Sequence, residues 1–175
     1  MAKPKPLAFT KLIAALLDDQ TPFPPRYLHR LSDIAPEDTE ILAQAWPKIS
    51  PRRRGALMED LEELTQADDL LSFEDVCRLA IHDPAPNVRA SAVRILREYE
   101  LSQYIPDFIR MAEHDTDVEA RAASVTALGT FIYLGEVDEL PESVLKRVEE
   151  CLLGILNGKD VPLVHRRALE ALGYS

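Results

Sequence analysis

The chain has 175 residues, about one domain on a prior of ~150 residues each, and folding at that size removes roughly 70% of the unfolded surface, enough for a core without staples. It is 46% apolar and 29% charged, a globular balance, and its six glycines and 6% aromatics weigh against β-sandwich and glycine-rich nucleotide folds. The net charge of −10 sets nine Lys/Arg against six Asp/Glu over residues 1–54 and eleven against twenty-four beyond, so the acidic body repels phosphate backbones and no nucleic-acid partner is expected.

Leu7–Asp18 reads as an amphipathic helix. Its apolar run Leu12–Leu17 is far too short to cross a bilayer, so no membrane partner is expected. No signal peptide precedes it, and a cytoplasmic, reducing location is the expectation. Thr21–Pro25 makes a sharp connection into a short helix over Pro25–Leu31, with Pro25 in the first turn. Glu37–Trp46 and Arg52–Thr65 are expected to form an antiparallel pair linked through Pro47 and Pro51. Arg52, Arg53 and Arg54 read as a solvated first turn, since three arginines hardly make a polybasic tract.

From here the chain repeats itself. Asp83–Leu96 recurs 32 residues later as Asp115–Leu128, and the helix starting at Ala120 recurs 44 residues beyond as Val164–Leu172. Counting from Val88, Ala120 and Val164, small or apolar residues fill relative positions 0, 4, 7 and 8, one face of a 3.6-residue helix. Val93, Val125 and Leu169 at position 5 widen that stripe, which implies burial against more than one neighbour. Pro86 and Pro162 suit the first helical turn, and Asp117 supplies an N-cap carboxylate where Val118 replaces proline. A helix precedes each of these: Val76, Leu79 and Ala80 match Phe108, Met111 and Ala112, then Leu152, Ile155 and Leu156. Ser72 with Asp75 resembles a capping box. The turns are His82–Pro84, His114–Thr116 and Asn157–Lys159, and an acidic linker from Leu134 to Pro141 lengthens the third unit.

The expected architecture is all-α: a right-handed α-solenoid of stacked antiparallel helix pairs, single and continuous. Residues 1–70 form an N-terminal helical cap plus one diverged repeat, with residues 53–61 at best a degenerate copy of the second-helix pattern. Residues 71–175 hold three repeats, at about 71–100, 101–135 and 141–175.

Asp83 and Asp115 in the turns, Val88-Arg89 and Ala120-Arg121 at the helix starts, and Ala-Leu-Gly at 127–129 and 171–173 carry a resemblance. They resemble the HEAT-like repeat family, an armadillo-like α-solenoid, and within it the short repeats named after the phycobilisome lyases. Arg89 and Arg121 are well placed to bond the turn aspartates between units, a ladder that His165 and Lys159 put in doubt in the third copy. Deoxyhypusine hydroxylases, which share the repeat, bind iron through His-Glu pairs just after Val-Arg. The matching pairs here are Ala90-Ser91, Ala122-Ala123 and Arg166-Arg167, so that chemistry is excluded. No residue set identifies a tetrapyrrole site of the bilin-lyase kind, and the acidic body argues against the basic face of HEAT-like DNA glycosylases.

His82-Asp83 and His114-Asp115, one unit apart, pose a metal site against a simpler role. In that role each histidine meets the dipole at a helix end and each aspartate caps a turn, which is the reading preferred here. Cys77 aligns with Ile109 and Leu153 as a buried small hydrophobe, and Cys151 lacks the partner a nucleophile needs. Trp46 and Tyr104 read as seam fillers, Tyr133 and Tyr174 as partly exposed. No cofactor, metal or catalytic residue is expected. The expected function is a non-catalytic scaffold docking a polar protein or peptide on the inner face of the second helices. Arg94, Thr126 and Glu170 recur there at position 6 and Glu98, Thr130 and Tyr174 at position 10, flanked by Arg97 and Arg166. The alternative is an accessory or regulatory enzyme subunit, bilin-lyase-like, with a deep apolar small-molecule pocket; a third and weaker one is nucleic-acid contact through Arg52–Arg54. Residues 172–175 follow an apolar-faced helix with no polar cap, so either a longer array or end-to-end self-association is expected.

Overall fold

Proline punctuates the computed structural model, which describes residues 8–173. It opens α2 (Pro36–Ala45), α3 (Pro51–Ala67), α5 (Pro86–Arg97) and α9 (Pro162–Leu172), each time where the missing N–H costs no helix hydrogen bond. The other helices are α1 (Phe9–Leu17), α4 (Glu74–Ala80), α6 (Ile105–His114), α7 (Val118–Glu136) and α8 (Glu142–Asn157). Short 3₁₀ segments cover Pro25–Leu31, Trp46–Lys48 and Ser102–Tyr104, and no strand occurs among the described residues. Asp117 caps α7 as expected, accepting from the Ala120 N–H at 3.0 Å. The expected Ser72–Asp75 box at α4 does not form. The Ser72 N–H donates to Ser32 Oγ at 3.0 Å, and the Phe73 N–H, the cap of α4, donates to Tyr99 Oη at 2.9 Å. Tertiary partners have replaced the local ones. The acidic linker is also shorter than expected, because α7 holds Leu134, Gly135 and Glu136 in its last turn.

The second helices α3, α5, α7 and α9 pack side by side in chain order. Against them lie the first helices, α4 on α5, α6 on α7 and α8 on α9. The seam between the layers is the core. Leu61, Leu96 and Leu128 hold the same place on three successive second helices and are fully buried, and Leu172 holds it half-buried on α9. Phe73, Phe108 and Phe131 fill the space between layers, with the Phe108 and Phe131 rings 6.2 Å apart. At the N-terminal side α1 buries Phe9, Leu12 and Leu16. The connection after α1 is clamped to the start of α3 by Arg53 Nη2, which donates to the carbonyls of Asp18 and Thr21, and by Ser50 Oγ, which donates to Asp19 Oδ1 at 2.6 Å.

Charged rungs tie each pair to the next. Arg89 donates from Nε and Nη2 to both carboxylate oxygens of Asp115, at 2.8 and 2.6 Å, and from Nη1 to the carbonyl of Asp83 in its own turn. Arg121 repeats this with Asp160, at 3.0 and 2.8 Å, and with the carbonyl of Asp115. The expected break at Lys159 is absent, because the neighbouring Asp160 supplies the carboxylate and fixes its own turn through the Val161 N–H. One rung lies further toward the N-terminus. Arg54, the counterpart of Arg89, places Nε 2.7 Å from Asp83 Oδ2, donates from Nη2 to Oδ1 at 3.1 Å, and donates from Nη1 to the Ile49 carbonyl. Trp46 Nε1 completes that carboxylate at 2.7 Å. Arg54 is therefore 3% exposed, not solvated, and only Arg52 of the basic cluster is an open surface residue. With Arg53 and Arg54 consumed internally, the cluster has little left for a phosphate backbone.

The rungs differ in dryness: Arg54 and Asp83 side chains are 4% and 0% exposed, Arg121 and Asp160 14% and 18%. Asp83→Ala leaves a buried guanidinium and an indole N–H unpaired and is expected to cost about 3–5 kcal/mol, against about 1–3 for Asp160→Ala. Urea unfolding followed by the emission of Trp46, the chain's one tryptophan, measures both. The ladder also sets an acid limit. Burial opposes ionisation of Asp115, but the Arg89 hydrogen bonds outweigh it, and Arg121 holds Asp160, so both carboxyls sit below the ordinary value of 3.8. Their contribution is then complete above that value and is lost as pH falls through the folded-state pKa values. The urea midpoint is expected to fall below about pH 4, with a shallower fall in Asp160→Asn.

Candidate functional site

The exposed side of the second helices carries an open groove of about 490 Å³ between α5, α7 and α9. Its floor is α7: Thr126, Gly129, Thr130 and Tyr133 stand at relative positions 0, 3, 4 and 7 and so share one helix face. None of them is charged. Thr126 Oγ1 donates to the Ala122 carbonyl at 2.9 Å, so the hydroxyl proton is spent and its lone pairs face outward. Arg97, Glu98 and Glu100 from the end of α5 make one wall, and Arg167, Glu170 and Ala171 of α9 the other. Glu100 turns the chain out of α5 with a left-handed φ of 53°. A second hollow of about 290 Å³ continues the groove, sharing Arg97, Thr126 and Arg167 and adding Arg94 and the small residues Ala122 and Ala123.

The wall arginines are held by carboxylates of the protein itself. Arg97 donates to Glu98 at 2.7 Å, Arg167 to Glu170 at 2.7 Å, and Arg94 bidentately to Glu62 of α3 at 2.6 and 2.9 Å. Exposed pairs of this kind are worth about 0–1 kcal/mol each, so an arriving charged group exchanges with them at little cost.

Five of the residues singled out from the sequence meet in this groove: Arg97, Glu98, Thr126, Thr130 and Glu170. Arg94 lines the adjoining hollow. Arg166 does not line either; it stands 62% exposed with Nε 3.7 Å from Glu170, and its neighbour Arg167 takes the wall. Tyr174 lies outside the described residues. Sequence reasoning missed Arg167, Glu100 and the place of Tyr133 on the floor, although Tyr133 follows Thr126 and Thr130 at helical spacing and is 54% exposed.

The remaining constellations resolve into structural roles. Asp83 and Asp115 face arginines, while His82 and His114 stand exposed, His82 Nδ1 lying 3.4 Å from Arg110 Nη2. Among the described residues no group of three or more His, Cys, Asp or Glu is placed to hold a metal. Cys77 is fully buried, and burial pushes its thiol far up. Burial and the nearby Glu113 push Cys151 up to about 12, so both thiols stay protonated at neutral pH. Trp46 and Tyr104 are buried seam residues with their polar ends bonded to Asp83 and Glu74.

Paired helices stacked in one direction, joined by repeating Arg–Asp rungs and open along their second helices, define an α-solenoid. The family model for HEAT repeats matches residues 74–173, and the chain belongs to that family. No curated protein matches the chain significantly. HEAT repeats commonly serve as protein-interaction scaffolds and are typically non-catalytic. No helix among the described residues is long and apolar enough to cross a membrane.

The groove floor depends on close approach of α7 and α9 at one glycine. A Cβ on Gly129 would lie 3.0 Å from Ala171 Cβ and 3.1 Å from its Cα. Gly129→Val is expected to force the helices apart at a cost of about 1–3 kcal/mol, read as a lowered melting temperature. Ala171→Gly in the same chain should return part of that loss, and a double-mutant cycle measures the coupling.

Proposed function

We propose that this chain is a non-catalytic protein-binding scaffold that seats a polar peptide or protein segment in the groove across α5, α7 and α9. Arg94, Arg97, Arg167, Glu98 and Glu170 select the partner's charges, Thr126 and Thr130 accept its hydrogen bonds, Tyr133 offers an aromatic face, and Arg166 stands at the rim. The observation that carries this reading is the groove's construction: walls of paired charges over an uncharged floor of Thr126, Gly129, Thr130 and Tyr133. Such a floor admits a partner backbone close to α7, while charges of both signs on the walls reward a partner with a matching alternation. On this reading residues 1–70 act as a cap and a diverged repeat, and residues 71–175 as three repeats of one continuous solenoid. The chain works in the cytoplasm, where Cys77 and Cys151 remain thiols. An accessory enzyme subunit with a small-molecule pocket calls for a deep apolar cavity, and the open Arg, Glu and Thr lining supports the scaffold instead.

The test reverses the walls. Wild type and the double variant Arg97→Glu with Arg167→Glu are immobilised and challenged with native cell extract, and bound proteins are quantified. Proteins retained by the wild type are expected to fall ~10-fold or more with the double variant and to stay with Arg110→Glu, a change on the first-helix layer. Equal recovery on wild type and double variant would remove the groove from the binding account.

A further inference from the structure

The charges along the groove are sorted by sign. The hollow over Ala122 and Ala123 is lined by Arg94, Arg97 and Arg167 against one carboxylate, Glu119. Glu62, which holds Arg94, lies on α3 and lines neither hollow. Beyond Thr126, which both hollows share, the charged residues that the larger one adds are Glu98, Glu100 and Glu170, and none is basic. Such a gathering of arginines is out of character for residues 55–175, where eleven Lys/Arg face twenty-four Asp/Glu.

The helices set the same polarity. α9 begins beside the arginines, with Leu163 in the lining of their hollow, and α5 ends beside the carboxylates, with Glu98 at its C-terminal cap. The positive end of one macrodipole and the negative end of the other therefore add to the side-chain charges. A helix C-terminus favours a cation, yet Glu98 and Glu100 stand there, and Glu100 makes no ion pair among the described residues. Tyr133 lines the same end and is 54% exposed, and a ring among carboxylates suits an ammonium or guanidinium group. At the other end the guanidinium forks already hold Glu62, Glu98 and Glu170, so a partner carboxylate fits them by exchange. Thr126 and Tyr133 are seven residues apart on α7, roughly 10 Å along its axis, or about three residues of an extended chain.

We propose, resting on the groove reading above, that the occupant is an extended segment of a partner protein carrying an Asp or Glu and a Lys or Arg about three residues apart. Its carboxylate sits among Arg94, Arg97 and Arg167, and its cation sits against Tyr133, Glu98 and Glu100. A random peptide library displayed on phage and selected against the full chain tests it, with enriched peptides synthesised and titrated by fluorescence anisotropy. Enriched sequences are expected to hold the pair at that spacing, and alanine at either member should weaken binding ~10-fold. Arg97→Glu with Arg167→Glu should select a base in place of the acid, and Glu98→Lys with Glu100→Lys an acid in place of the base, with helix content by circular dichroism showing each variant folded. Thr130→Arg, which fills the floor, separates the two readings. Peptides that Thr130→Arg excludes but that lack the pair, or that bind both charge-reversed variants unchanged, overturn this inference and leave the groove as the binding site. Peptides that bind Thr130→Arg as well as wild type, or no enrichment at all, overturn the groove reading with it.

Discussion

An arginine at the start of a second helix has two obligations in this molecule, and both must be met at once. It satisfies a carbonyl of its own turn, and it meets the carboxylate of the next. The first fixes the turn between the helices of a pair; the second fixes the rotation of one pair on another. Apolar burial along the seam supplies most of the stability but is non-directional, so it leaves that rotation open. The guanidinium is planar and bidentate, so it does not. The spacing of α3, α5, α7 and α9, and with it the width of every surface feature they share, follows from three such rungs.

The groove is a consequence of that spacing. With the rungs set on the turn edge, the opposite ends of α5 and α9 flank α7, and Gly129 lets α9 settle against it. Buried and exposed positions then divide the labour on the same helices. Ala120, Ser124 and Leu128 of α7 are committed to the seam, while Thr126, Thr130 and Tyr133 line the open groove. Changes at Thr126, Thr130 and Tyr133 therefore touch the open face and leave the seam as it is.

Regular features were legible wherever the chemistry is local. Apolar spacing at Leu96, Leu128 and Leu172, and proline at helix starts, report on the helix that contains them, and the stacked pairs follow directly. Three features were not local. Arg54 sits in a run of arginines that resembles a solvated turn, and nothing nearby announces that its partner is Asp83, 29 residues on. Asp160 stands one place beyond the position the repeat predicts, because the longer turn after α8 delivers the carboxylate from a shifted register. Ser72 looks like a cap for its own helix, but its N–H, which a capping box would bond to Asp75, donates to Ser32 Oγ, 40 residues away. In the groove, the choice between Arg166 and Arg167 rests on a rotation of α9 by one residue, finer than pattern matching resolves.

The ladder is graded, and the grading bears on how the scaffold yields. Its first rung is enclosed, with Trp46, Arg54 and Asp83 sharing one dry cluster, while its last, between Arg121 and Asp160, admits water. An ion pair in contact with water is worth less and is exchanged more readily than an enclosed one. Local opening is therefore expected to begin at the α8–α9 pair. That pair contributes the Arg167 and Glu170 wall of the groove, so one wall stands on the pair whose rung is the more exposed. A partner bridging Arg97 on α5 and Arg167 on α9 would supply across the open face the constraint that the wet rung supplies weakly at the turn edge. On the proposed reading, binding and the ordering of the last pair are then two readings of one free energy.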